Sequence, residues 1–245
     1  MSIVERFAYD SIERITRADG VRHYICPRTG QHLPSVTTVL QQTADQAGLM
    51  EWRTRVGERQ ADAIKREALA LGTLMHTHLE KHLAGAPRPT GTNLIRVQAA
   101  AMADQIIAKG LSQVLECYGC ELALYYPGLY AGTADAVGTV KTSDVPTDRD
   151  AALALIDFKS ARKMKTRDQI EDYFMQIAAY ILCHNERYGT DISQGIIFMV
   201  DRDLRFEQFV LAGADLGLYQ NKWIDRLDQY CQLPPPEGGG LKEKY

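Results

Sequence analysis

The chain has 245 residues, 45% of them hydrophobic and 24% charged, with a formal net charge of -3. That length supports one large domain with a substantial core, and the charge excludes a uniformly basic nucleic-acid coat while leaving room for a local basic groove. No apolar run reaches the length of a membrane span, and Glu5, Asp10 and Glu13 interrupt the first residues as no targeting leader would allow, so the expectation is a cytosolic protein without membrane contact.

From the N-terminus, Phe7 to Cys26 alternates enough to suggest short strands turning at Ala18-Asp19-Gly20. In Pro34-Ser35-Val36-Thr37-Thr38-Val39-Leu40, Ser35 is a natural N-cap, and the hydroxyls of Ser35, Thr37 and Thr38 crowd a helix start. Those residues fit an ordinary cap or an anion site. A second short helix spans Asp45 to Val56 and breaks near Gly57. Residues 1–57 read as an N-terminal helical extension, and 58–233 as the core of a single domain.

A long helix follows from Glu58 to Ala84, with Ile64, Ala68, Leu71, Met75 and Leu79 as its apolar stripe. Beside that stripe Gly72, His76 and Glu80 are spaced four apart and stack on one face, where an imidazole and a carboxylate reach one cation together. A surface Glu beside a packed His fits the same spacing. Asn93 to Leu111 is a further helix, with Leu94, Val97, Ala101, Ala108 and Leu111 assigned to its buried side. The period then changes to two: Val114 to Tyr126 and Leu129 to Val140 read as strands joined at Pro127-Gly128, and Lys141 to Asp150 as a polar loop.

The branched run Leu153 to Lys159 is a buried strand whose alternation sets Asp157 and Lys159 on one side and Ile156 and Phe158 on the other. Asp135 is a lone acid in the preceding strand. Two carboxylates about 4 Å apart repel by roughly 4 kcal/mol at an effective dielectric of 20, so one is protonated or a cation lies between them. A divalent metal is the economical answer. Past Lys159 comes a basic loop holding Arg162, Lys163, Lys165 and Arg167, then a helix from Asp168 to Arg187 with core stripe Ile170, Phe174, Ile177 and Ile181. Gln176 and Tyr180 share a face next to that stripe. A hairpin about Asp201-Arg202-Asp203 and a final helix from Asp215 to Leu233 precede a Pro/Gly tail, 234–245, read as flexible. Of the five cysteines, Cys117 and Cys120 form a CxxC without a second pair, which favours packed thiols over a metal site.

The ordered blocks Gly72-x-x-x-His76-x-x-x-Glu80, Gly132-Thr133-Ala134-Asp135, Ile156-Asp157-Phe158-Lys159 and Gln176-x-x-x-Tyr180 resemble the PD-(D/E)XK nuclease superfamily, in its RecB-like exonuclease branch. The block from Pro34 to Leu40 is also similar to that of the mitochondrial genome maintenance exonucleases and their phage relatives. Ala134 stands where the family usually has Pro, and only Cys231 lies where its iron–sulfur variants cluster three cysteines, so no iron–sulfur cluster is implied. The resemblance implies an α/β fold with a restriction-endonuclease-like core, a central mixed sheet flanked by helices. It further implies a bacterial or phage-encoded deoxyribonuclease of replication, recombination or repair, an exonuclease on single-stranded DNA in the host cytoplasm.

In that reading Asp135, Asp157, His76 and Glu80 hold Mg²⁺ or Mn²⁺, and Lys159 acts beside them as a catalytic residue with Asp135, Asp157 and Glu80. DNA would be gripped by Ser35, Thr37, Thr38, Arg162, Lys163, Lys165, Tyr173, Gln176 and Tyr180. A same-fold nuclease acting on duplex ends, an endonuclease of the CRISPR-adaptation kind and a non-cleaving binding module stay open. Polarity, partners and oligomeric state, a monomer included, are not specified by the motifs.

Overall fold

The computed structural model describes residues 2–16, 21–141 and 151–234. The Ala18 to Gly20 turn, most of the Lys141 to Asp150 loop and the tail beyond Pro234 lie outside the described residues. Three short strands open the chain, β1 (Arg14–Thr16), β2 (Arg22–Ile25) and β3 (His32–Pro34), and pair antiparallel in the order β1-β2-β3. The helices α1 (Val36–Gln42), α2 (Ala47–Val56), α3 (Glu58–Leu83) and α4 (Leu94–Lys109) follow. The main sheet takes β4 (Val114–Tyr126), β5 (Tyr130–Lys141), β6 (Ala151–Ala161), β7 (Gln194–Asp201) and β8 (Phe206–Ala212), in sequence order. Between β6 and β7 runs α5 (Glu171–Tyr188), and α6 (Gly213–Gln232) closes the described chain.

All neighbours in the main sheet are antiparallel except β6 and β7, whose parallel pairing requires a crossover, and α5 supplies it. The result is a five-stranded mixed sheet with helices on both faces, the architecture the sequence motifs imply. Strand alternation sorts the core into two layers. On one face Leu155, Ile197 and Met199 pack with Phe174, Ile177, Ile181 and Trp223 of α5 and α6. On the other, Ile156, Phe158 and Phe198 pack with Met75, Leu79, Met102 and Ile106 of α3 and α4. Each such side chain, fully buried, contributes about 1.5–3 kcal/mol. Gly195 permits the close seating of α5, because a Cβ there would lie 2.0 Å from Ile177 Cγ2.

Three expectations need correction. The N-terminal extension is not simply helical: its sheet has its own core of Ile12, Tyr24, Cys26 and Leu33, which continues into Tyr125 and Ala131 of the main sheet. The packed face of α4 differs from the expected one, although Leu111 just past the helix is buried as expected. Leu94 is 86% exposed and Val97 52%, and the buried residues are Ala99, Met102, Ala103 and Ile106. This helix is apolar on nearly every side, so periodicity carries little information about which side packs. The α3 stripe is core only in its second half. Leu71, Met75, Leu79 and Leu83 are buried, whereas Ala68 is exposed and Ile64 half-buried, because the first half of α3 projects beyond the sheet with only Ala61 buried.

Candidate active site

The site begins as a break in two strand ladders. Between β5 and β6 the registered pairs stop at Ala136↔Ile156, so the next residues, Asp135 and Asp157, stand opposite each other where the strands part. The N–H of Phe158, beyond the end of that ladder, is taken by the Asp135 side chain, whose Oδ2 accepts it at 2.6 Å. Between β4 and β5 the pairs Cys120↔Ala136 and Leu122↔Ala134 bracket Glu121, which stands opposite Asp135 on the other side and has φ of 51°. Residues directly opposite in antiparallel strands share a face. Glu121, Asp135 and Asp157 therefore form one row of acids across three strands.

From above this row, α3 delivers His76. Its Nδ1 lies 3.3 Å from Asp135 Oδ1 and 3.9 Å from Glu121 Oε1. One ligand atom from each of His76, Glu121 and Asp135 falls within 4.8 Å of the others. The approach of α3 is close at Gly72, where a Cβ would meet Ser160 Oγ at 3.3 Å. A cavity of about 500 Å³ opens over the cluster, lined by His76, Glu80, Glu121 and Asp135 and by Arg14 and Arg22 of the N-terminal sheet. Beside the packing of Tyr24 and Leu33 on Tyr125 and Ala131, the Tyr24 hydroxyl lies 3.1 Å from Thr133 Oγ1 and ties the N-terminal sheet to β5.

Asp157 and Lys159 do not line that cavity. Asp157 is 1% exposed, and Lys159 Nζ lies 2.8 Å from its Oδ1 and 2.6 Å from its Oδ2. The Oδ2 contact is ionic and not aligned as a hydrogen bond, so that buried oxygen has no directional donor. Lys159 Nζ also donates to Gln176 Oε1 at 3.2 Å and sits 4.9 Å from the centre of the Tyr173 ring. Gln176 Nε2 in turn donates to the Tyr180 hydroxyl at 3.4 Å. Gly132 makes room for that tyrosine, because a Cβ there would come within 2.6 Å of the Tyr180 ring.

Charge in this space is tightly linked. Burial raises the Asp157 carboxyl above the usual carboxylate range and the Asp135 charge adds to it, against the opposing pull of Lys159. Burial would raise Asp135 too, but His76, Lys159 and the Phe158 N–H overcome it and hold Asp135 low. Burial would lower His76; the Asp135 charge reverses this and pushes the imidazole up to about 9. Glu121 is raised, by burial and then by Asp135. Like-charged carboxylates this close favour a shared cation.

The other residues singled out by sequence are spread around this centre. Glu80 lines the cavity, with its Oε1 3.7 Å from Lys81 Nζ. Ser35 is buried and caps α1, accepting from Thr38 N–H at 3.0 Å and donating to Thr38 Oγ1 at 2.7 Å, while Thr37 is exposed on the cavity wall. Lys165 donates to the Tyr173 hydroxyl at 2.9 Å. Arg162 and Lys163 are exposed past the end of β6, outside the cavity. Three charged residues of the cavity, Glu121, Arg14 and Arg22, lie outside the sequence motifs. Glu121 carried the same signal as Asp135, an acid inside an apolar strand, whereas nothing local distinguishes the two arginines.

The fold and site define an α/β protein with a cation-ready acidic cluster at a sheet junction. No protein-family model matches the chain, nor does any curated protein. Among solved structures it is similar to SSO0001, at 17% identity and TM-score 0.31 over 64% of this chain and 84% of that one. It is also similar to an alkaline exonuclease from Laribacter hongkongensis, at 14% identity and TM-score 0.29 over 64% and 79%. Rai1 of Scheffersomyces stipitis, in complex with (3'-NADP)+ and calcium ion, matches at 13% identity and TM-score 0.23 over 43% of this chain and 29% of that one. These likenesses are too distant to assign a family.

Proposed function

We propose that the protein is a metal-dependent deoxyribonuclease that hydrolyses phosphodiester bonds, and that it acts as an exonuclease on single-stranded DNA in replication, recombination or repair. The observation that carries the reading is the row Glu121, Asp135 and Asp157 beneath His76, with Lys159 bonded to the row and arginines lining the cavity. Hard carboxylate oxygens with one imidazole suit Mg²⁺ or Mn²⁺. Asp135, His76 and Glu121 would hold the ion, with Asp157 and Glu80 as further carboxylate ligands. When bound, it supplies Lewis acidity toward the phosphodiester and acidifies the attacking water.

The chain's own residues do the rest. Lys159 keeps its proton, since Asp157 and Asp135 outweigh the burial that would lower its pKa. It thereby brings a positive charge, oriented by Asp157 and Gln176, to where negative charge grows on the phosphate. Arg14, Arg22 and Thr37 face the same space and suit the incoming backbone. The choice of DNA, of free ends and of single strands rests on the motif resemblance.

The test is digestion of end-labelled linear single strands, circular single strands and blunt duplex with Mg²⁺, Mn²⁺ or EDTA. Linear single strands should be degraded with either metal and spared in EDTA. Absence of cleavage with both metals would overturn the reading, and equal cutting of circles would replace exonuclease by endonuclease.

A further inference from the structure

A second cavity, of about 510 Å³, lies on the far side of Arg22 and Thr37 and shares both residues with the first. The two cavities therefore adjoin at this guanidinium and this hydroxyl. Their chemistry differs. The first contains Glu80, Glu121 and Asp135, whereas the second is lined, among the described residues, by Arg22, threonines, Val21 and the carboxamides of Gln41, Gln42 and Gln46, with no carboxylate among them. Arg22 is exposed and makes no side-chain ion pair among the described residues. Gln41 and Gln42 are exposed as well. Gln46 is partly committed, donating from its amide to Gln41 O at 3.0 Å.

A phosphodiester strand entering the first cavity meets carboxylates and needs a cation there. In the second it meets one guanidinium and neutral donors. Neutral amides and hydroxyls bond phosphate and sugar oxygens without reading bases, and a single arginine matches a single phosphate. The lining offers no exposed aromatic platform, which base stacking would need.

We infer that the groove bounded by β2 and α1 is a subsite for the strand beyond the scissile nucleotide. It holds the sugar–phosphate backbone of single-stranded DNA through Arg22, Thr37, Gln41 and Gln42, and it does so without metal. This subsite rests on the nuclease reading for its place in the reaction, but its affinity for the backbone does not.

The test separates the two. Binding of fluorescein-labelled oligothymidylate to the full chain is measured by anisotropy in EDTA across a KCl series, for wild type, Arg22→Ala and Gln41→Glu. Arg22→Ala should weaken binding about five- to tenfold at low salt and reduce the log-log salt slope by about 0.7, the share of one phosphate on a single strand. Gln41→Glu, which places a carboxylate among the neutral donors of this cavity, should weaken binding by a similar factor. Both side chains are exposed, so a thermal melt matching wild type checks folding. With Mn²⁺ added, wild type should show a KM that falls as the oligothymidylate lengthens past the first cavity, and Gln41→Glu should lose that dependence. Unchanged affinity and salt slope in both variants would overturn the subsite even if the protein cuts DNA. Weakened binding in a protein that cuts nothing with either metal would support the backbone groove while removing the nuclease reading.

Discussion

His76, on the cavity wall, and His184, wholly buried, both touch aromatic rings, yet they are tuned in opposite directions. His76 stands edge-on to Phe158 with ring centres 6.2 Å apart and leans on Asp135, which pushes it up to about 9. His184, wholly buried in α5, packs edge-on against Phe7 at 5.0 Å and bonds the Tyr9 hydroxyl at 3.1 Å and Thr190 Oγ1 at 2.8 Å. No carboxylate reaches it among the described residues, and burial alone drives it down to about 4. The difference teaches what burial does by itself and what a partner charge adds. A low-dielectric site disfavours the imidazolium, and only a nearby anion reverses that sign. One region is accordingly a charged centre that costs stability and suits chemistry, and the other a neutral joint that fastens the N-terminal segment to α5.

The sharpest way to break the comparison is to remove the charges that set the first region apart. Asp135→Asn or Asp157→Asn should lower the cleavage rate by at least about 10³-fold while circular dichroism and melting stay close to wild type. Retention of activity in either purified variant would mean the acid row does not hold the ion.

The neutral joint should show itself in pH. The unfolded His184 imidazole titrates near its ordinary 6.5, while in the fold it resists protonation down to about 4. The unfolded chain therefore takes the proton first, and stability present above 6.5 is lost as pH falls from 6.5 toward 4. The loss attributable to this group is about 3 kcal/mol over the window. Denaturant midpoints of wild type and His184→Gln should converge across that range, and parallel curves would show that another group carries the pH dependence.

Lys159→Ala should reduce the rate about 10²-fold, with Mn²⁺ affinity by titration calorimetry largely kept. Loss of the metal together with the rate would make the lysine a support for Asp157 and not a participant. His76→Ala should weaken Mn²⁺ binding more than Mg²⁺ binding, by roughly tenfold, since nitrogen ligands favour Mn²⁺. An unchanged metal preference in activity assays would leave His76 as packing. The smallest effect expected is for Glu121→Gln, roughly a few-fold in metal affinity, because Glu121 Oε1 lies 3.9 Å from His76 at the more exposed edge of the cluster. A null result there would remove Glu121 from the residues that hold the ion.

Much of this molecule follows from local pattern. Alternation and branched residues place β4 to β8 within a few residues, and the period of α5 identifies Ile170, Phe174, Ile177 and Ile181, all of which are buried. The same alternation puts Asp157 and Lys159 on one side, where they meet at 2.8 Å. These are properties of a strand or a helix by itself, so they are legible in order along the chain. Where local pattern is weak it misleads, as on α4, whose packed face only its neighbours select.

The composition of the site was a matter for tertiary structure. Glu121 joins Asp135 because β4 runs antiparallel to β5 in a register that sequence spacing does not specify. Arg14 and Arg22 reach the cavity because a separate three-stranded sheet folds over it. That buried Ser35 and exposed Thr37 both reach the cavity depends on which way α1 faces once docked. Residues far apart in the chain meet only through strand register and the docking of sheets and helices. Those are set by the sum of many contacts, so the row of acids is visible in the fold and only its members in the sequence.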